Sequence, residues 1–216
     1  FATVITELTS RFRELAATVE SLTMVYDGGQ NSQANHALIE EAGIGFVGSL
    51  SPSDHAGLLA IPASDYTRVD DKRYPGVTCV DTTVTALGVT RRAVLTHSPT
   101  LHAAQSRGFD QTLAKARRQL LDLQATLDRG HTRRGRVAVE SEIAAICKPR
   151  WVSQVLTTTL TGETPAQLRL TFHTDTDARS RLEAKLFGKR ILFTNRDDWP
   201  VADVVAAYRS QSEVES

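Results

Sequence analysis

The chain has 216 residues, 41% of them hydrophobic, with 25 basic against 25 acidic side chains, enough for one large domain or a domain with an inserted subdomain. The zero formal charge excludes a uniformly cationic nucleic-acid binder but not a local basic face. No apolar run reaches the ~20 residues of a membrane span, and the two isolated cysteines, Cys79 and Cys147, read as buried thiols of a reducing compartment rather than a disulfide framework.

The chain opens on Phe1 without a signal peptide and stops at Ser216 inside a helical pattern. It reads as a piece of a longer protein. Ile5, Leu8, Phe12, Leu15 and Val19 repeat with helical spacing and predict a first amphipathic helix. Residues 22–26, Leu-Thr-Met-Val-Tyr, form a short apolar run without alternation, as expected of a strand buried on both faces. Asp27-Gly28-Gly29 follows, then Ser32 as the cap of a helix that Gly43 ends, and 44–50 is a second core strand. A strand–helix–strand order predicts a parallel pair within a three-layer α/β fold.

Residues 76–97 are rich in Val and Thr, broken by Asp81 and Gly88, and predict two antiparallel strands. A helix is expected over 110–129, capped by Asp110 and lined by Leu113, Ala116, Leu120, Leu123 and Leu127. A basic loop follows, with Arg133, Arg134 and Arg136; then come a short helix over 138–147 and Thr-rich strands at 151–161 and 166–173. Residues 66–173 are therefore expected to be a mostly β insertion with two helices, between core segments 1–65 and 174–216. The α/β pattern returns with a helix over 176–187, a strand over 190–194 and a last helix opened by Asp198 and Pro200. Its buried face is Val201, Val204, Val205 and Tyr208.

Two acids stand out. Asp27 ends a core strand, which suits either a turn residue or a ligand that the two glycines leave approachable. Glu215 lies seven residues, about two turns, beyond Tyr208, on the core-facing side of its helix; it is either a solvated helix acid or a group that needs a partner. Carboxylates from separate elements that converge at strand ends are a suitable holder for the hard divalent cations of phosphodiester chemistry.

Two stretches carry a resemblance. "VYDGGQNS" resembles the strand and turn around the second catalytic aspartate of the DDE transposases of bacterial insertion sequences. "RILFTNRDDWPVADVVAAYRSQSEVES" resembles their last core strand and catalytic-glutamate helix, in which Tyr, two residues, Arg, three residues, Glu, six residues and Lys recur. Tyr208 and Glu215 fit that spacing; Gln211 stands at the arginine position with Arg209 nearby, and the lysine position lies beyond Ser216. The resemblance implies a ribonuclease-H-like core interrupted by a β-rich insertion. It also implies Asp27 and Glu215 as catalytic residues and ligands of Mg²⁺ (or Mn²⁺), with DNA, both transposon ends and target, as the partner. A homodimer of the full-length protein and a nucleoid-associated place in the bacterial cytoplasm, with no membrane, follow from it too. The family's first aspartate has no counterpart here: residues 1–26 hold only Glu7, Glu14 and Glu20 as acids. Little or no activity is expected of this chain.

Arg133, Arg134, Arg136, Lys148, Arg150 and Arg209 are candidate phosphate contacts, with a solvated surface as the alternative. Tyr208 joins them as a DNA contact. Trp151 is either a platform for an extruded base or a core residue. The six histidines lack metal-ligand spacing. The alternatives to an active transposase are a non-catalytic DNA-binding or self-associating remnant, and a ribonuclease-H-like nuclease that does not transpose.

Overall fold

The computed structural model describes residues 22–130 and 133–214, with positions 3, 5–7, 10 and 11 before them; for Gln30 and residues 211–214 it describes the backbone alone. The first predicted helix lies largely outside the described residues, as do His131 and Glu215. Two compact units emerge, Phe1–His102 with Gly188–Ser216, and Ala103–Phe187. Among the described residues no helix is long and apolar enough to cross a membrane.

The larger unit is an α/β domain around a mixed six-stranded sheet. In chain order its elements are β1 (Thr23–Tyr26), α1 (Gln33–Glu41), β2 (Gly45–Leu50), β3 (Thr67–Arg68), β4 (Thr78–Ala86) and β5 (Val89–His97). After the smaller unit come β8 (Lys189–Thr194) and α5 (Val201–Val214). The strand order is β1-β2-β8-β5-β4-β3, with β1 and β2 parallel and every other pairing antiparallel. The late strand β8 thus enters the middle of the sheet between β2 and β5.

Local chemistry explains the crossover. The Ser32 hydroxyl accepts the Asn35 N–H at 3.1 Å and caps α1. Gly43, at φ +67°, takes the left-handed turn that ends it. The chain then enters β2, which is buried at every position because neighbouring strands and both faces cover it.

Alternation along the strands sorts the core into two layers. Tyr26, Phe46, Leu50, Ala93, Leu95, Ile191 and Phe193 pack with Ile39 and Ile44 on the α1 face. Val47, Val94 and Leu192 pack with Val204 and Val205 of α5 on the other. Phe46 and Phe193 are fully buried, each contributing about 2–3 kcal/mol of transfer free energy. Helices cover both faces, as the sequence predicts for a three-layer α/β fold.

The smaller unit holds α2 (Pro99–Asp128) from Ala103 onward, α3 (Arg136–Cys147), the hairpin β6 (Leu156–Thr161) and β7 (Arg169–Thr174), and α4 (Thr176–Leu186). The α2 stripe Leu113, Ala116, Leu120, Leu123 and Leu127 is buried as predicted. Its start is not: the helix begins at Pro99, so Asp110 is an interior residue that pairs with Arg179 at 3.0 Å rather than a cap. Residues 152–155, expected as strand, form a single helical turn.

The division of the chain also departs from expectation. The 78–97 hairpin does not belong to a separate β-rich insertion, because β5 pairs with β8 over six residues at the centre of the larger sheet. Helix α4, expected in the returning core, falls in the smaller unit. The physical reason lies in β5: Ala93, Val94 and Leu95 are consecutive and fully buried, the mark of a central strand covered on both sides.

Candidate active site

The site forms at the carboxyl end of β1. Parallel pairing places Tyr26 opposite Gly48, so Asp27, one residue on, stands beside Ser49. Asp27 then caps a single 3₁₀ turn, Gly28–Gln30. Its Oδ1 accepts three hydrogen bonds: from the Gly28 amide at 2.7 Å, the Ser49 hydroxyl at 2.8 Å and the Tyr208 hydroxyl at 3.2 Å. The Gly28 amide also lies 3.1 Å from the Ser49 hydroxyl oxygen, and the Asn31 side-chain amide donates to the Ser49 carbonyl at 2.7 Å. The carboxylate is therefore oriented through one oxygen. Oδ2 has no partner among the described residues.

The electrostatics follow from these donors. The Gly28 amide, foremost, and the Ser49 hydroxyl hold the Asp27 carboxyl below the ordinary carboxylate range. Asp27, exposed to solvent, is thus ionised at neutral pH. Burial raises the Tyr208 phenol, so that group stays protonated and donates. Arg190, at the start of β8, lies with its guanidinium 4.8 Å from the Tyr208 ring centroid.

Period-two alternation explains why these groups share a side. Val47 and Leu192 pack toward α5, so Ser49 and Arg190, each two residues along, point the same way. Helix α5 covers that face and brings Tyr208 to the strand end. Sequence reasoning found Asp27 and Tyr208 but missed Ser49, Asn31 and Arg190. The available signal was a serine in the otherwise apolar run Gly-Phe-Val-Gly-Ser-Leu, which buries everywhere and so must spend its hydroxyl on a partner.

As a cation holder the described residues supply a beginning. A hard divalent ion takes carboxylate and amide oxygens. Among the described residues Asp27 Oδ2 has no partner, and on the same turn Asn31 Oδ1 is buried without a hydrogen bond. These fit one or two ligand positions, not a set: no three His, Cys, Asp or Glu come together among the described residues. Glu215 is outside them.

The remaining predicted residues divide. Arg209 lies on α5 with its guanidinium 4.5 Å from the Tyr74 ring centroid. In the smaller unit, Arg133 and Lys148 are exposed, whereas Arg134 pairs with Glu142. Arg136 does not present a free fork to a phosphate. It donates to Glu140 at 2.8 Å, to the Gly162 carbonyl at 2.9 Å and to the Leu160 carbonyl at 3.1 Å, tying α3 to the β6 end.

Trp151 is no open platform either. Its ring packs 5.2 Å from Phe187 and 6.2 Å from Phe109, and Arg150 covers it at 4.2 Å. Aromatic packing outcompetes exposure because a Trp buries so much apolar area. A groove of about 700 Å³ between α2 and α3 is lined by Lys115 and Arg134 but also by Asp122 and Glu142, which leaves it no net pull on a phosphate backbone.

Comparison of this chain with protein-family models, with curated proteins and with solved structures returned no match.

Proposed function

We propose that the chain belongs to a DNA transposase with a ribonuclease-H-like core, in which Asp27 and Glu215 hold Mg²⁺ or Mn²⁺ and the substrate is DNA, transposon ends and target. One observation carries the reading. Helix α5, described to Val214, delivers Tyr208 onto Asp27 across 181 positions of sequence, and this meeting of strand end and helix supports the reading. Cations held by such carboxylates supply a nucleophilic oxygen and stabilise the leaving oxygen of a phosphodiester. The chain's own groups do the rest: Gly28, Ser49 and Tyr208 lock Oδ1 and keep the carboxylate ionised, and Oδ2 is left for the ligand role.

The test is nicking of supercoiled DNA. Because residues 1–26 contain no aspartate, slow nicking dependent on Mg²⁺ or Mn²⁺ is expected, and Asp27→Ala and Glu215→Ala should each abolish it. Nicking that survives either substitution contradicts the proposal. DNA binding without nicking, unchanged by both substitutions, favours the non-catalytic remnant. Joining of a cut end to a second duplex separates transposition from simple hydrolysis.

A further inference from the structure

Arg190 is the group at this site that the reading above leaves unused. The residue is half-buried, its guanidinium lies 4.8 Å from the Tyr208 ring centroid, and none of its five N–H donors makes a hydrogen bond or ion pair to a described residue. The two arginines of β5 spend their forks. Arg91 holds Glu40 through two bonds at 3.0 and 2.9 Å; Arg92 holds Asp81 at 3.0 and 2.8 Å and also carbonyls of the loop before α5. A half-buried arginine held against an aromatic ring, with no acceptor among the described residues, is a donor set suited to an oxyanion.

We propose that Arg190 is a phosphate-binding residue of the Asp27 site, its planar fork taking the non-bridging oxygens of a DNA phosphodiester. The proposal rests on the transposase reading for the identity of the ligand. Three features suit a phosphate. The fork matches tetrahedral oxygens two at a time. The guanidinium lies 4.8 Å from the Tyr208 ring centroid, and its donors bond no described residue. Asp27, whose carboxylate Arg190 attracts, stands close enough to place a metal-ligand oxygen and a phosphate clamp on one side of the sheet. Tyr208 links the two, donating to Asp27 through its hydroxyl and carrying Arg190 on its face.

The test uses the whole chain, a fluorescent duplex of random sequence, and EDTA to remove divalent ions. Arg190→Ala should weaken binding about tenfold and reduce the slope of log affinity against log salt by about one. Arg190→Lys, which keeps the charge without the fork, should recover less than half of the loss. Asp27→Asn should instead tighten metal-free binding by roughly twofold, because a repelling carboxylate is removed from beside the phosphate. Inorganic phosphate, titrated against arginine-labelled wild-type protein, should move the Arg190 Nε–H resonance, a readout that does not depend on any variant folding. Arg190→Ala with wild-type affinity and slope, full recovery by lysine, or an unmoved resonance would each overturn the proposal. Failure of the nicking assay alone would leave it standing, since phosphate binding in EDTA requires no metal; failure here would leave the ligand role of Asp27 intact.

Discussion

Gly48 sets how closely β1 and β2 can approach, and so where Asp27 stands. A Cβ built on Gly48 would lie 2.7 Å from Tyr26 Cε2 and 2.8 Å from Cζ, where ordinary contacts begin at 3.4 Å. Tyr26 is buried, so its ring must yield by about 0.7 Å (3.4 less 2.7) against Phe46, whose ring centroid is 6.0 Å away. Overpacking of this kind costs about 1–3 kcal/mol. Against it stands a gain of about 0.5–1 kcal/mol for replacing a strand glycine by alanine. Gly48→Ala should therefore destabilise by about 1–2 kcal/mol in urea denaturation followed by far-UV circular dichroism. In a Tyr26→Ala background the ring is gone and only the gain remains, so the same substitution should become neutral or slightly stabilising. A cost equal in both backgrounds would refute the close-approach argument and, with it, the register that places Asp27 beside Ser49.

Other outcomes follow from the same coordinates. Ser49→Ala removes a hydroxyl that donates to Asp27 Oδ1. It should cost about 1 kcal/mol at neutral pH, below the roughly 1.5–3 kcal/mol of a bond to a charged acceptor because Asp27 is solvent-exposed. The Asp27 carboxyl, held low in the wild type, should titrate at higher pH by carbon-13 NMR. Stability supplied by such a lowered acid is present above its unfolded value and lost as pH falls through the folded one; with the folded value raised, the Asp27-linked loss should be smaller in this variant and complete at higher pH. Arg136→Ala strips the Leu160 and Gly162 carbonyls of a donor and should lower stability by about 1–2 kcal/mol while leaving DNA affinity unchanged. His36 is 2% exposed between Phe46 and Phe193, and burial lowers its pKa from 6.5. The folded chain then binds fewer protons than the unfolded one below that value, so stability should fall as pH drops through 6.5 toward the lowered folded pKa. His36→Leu should flatten that slope.

How far the sequence reveals the fold depends on the length scale of each signal. The crossover 22–50 is fully legible because its parts are local: an apolar run, a capping serine and a left-handed glycine. The α2 stripe is legible for the same reason, whereas its beginning is not. Pro99 opens the helix, and Asp110 pairs with Arg179 from 69 residues away, a contact no local pattern announces. Assignment of 78–97 to an insertion fails because Thr-rich alternation in β4 conceals the consecutive buried residues of its partner β5. At the site, the strand-end aspartate and the helix tyrosine are visible as isolated oddities. Ser49 and Arg190 become meaningful only through the pairing of β1 with β2 and the insertion of β8 beside them.

The most direct measurement is iron-mediated cleavage of the polypeptide. Iron(II) with ascorbate and peroxide, substituting for Mg²⁺, cuts backbone close to the residues that bind it. Two sets of cuts are predicted, around residues 27 and 215, both suppressed by excess Mg²⁺ and both lost together in Asp27→Asn. Cuts near one position only, or at both positions but indifferent to Asp27→Asn, would mean that the two carboxylates share no ion.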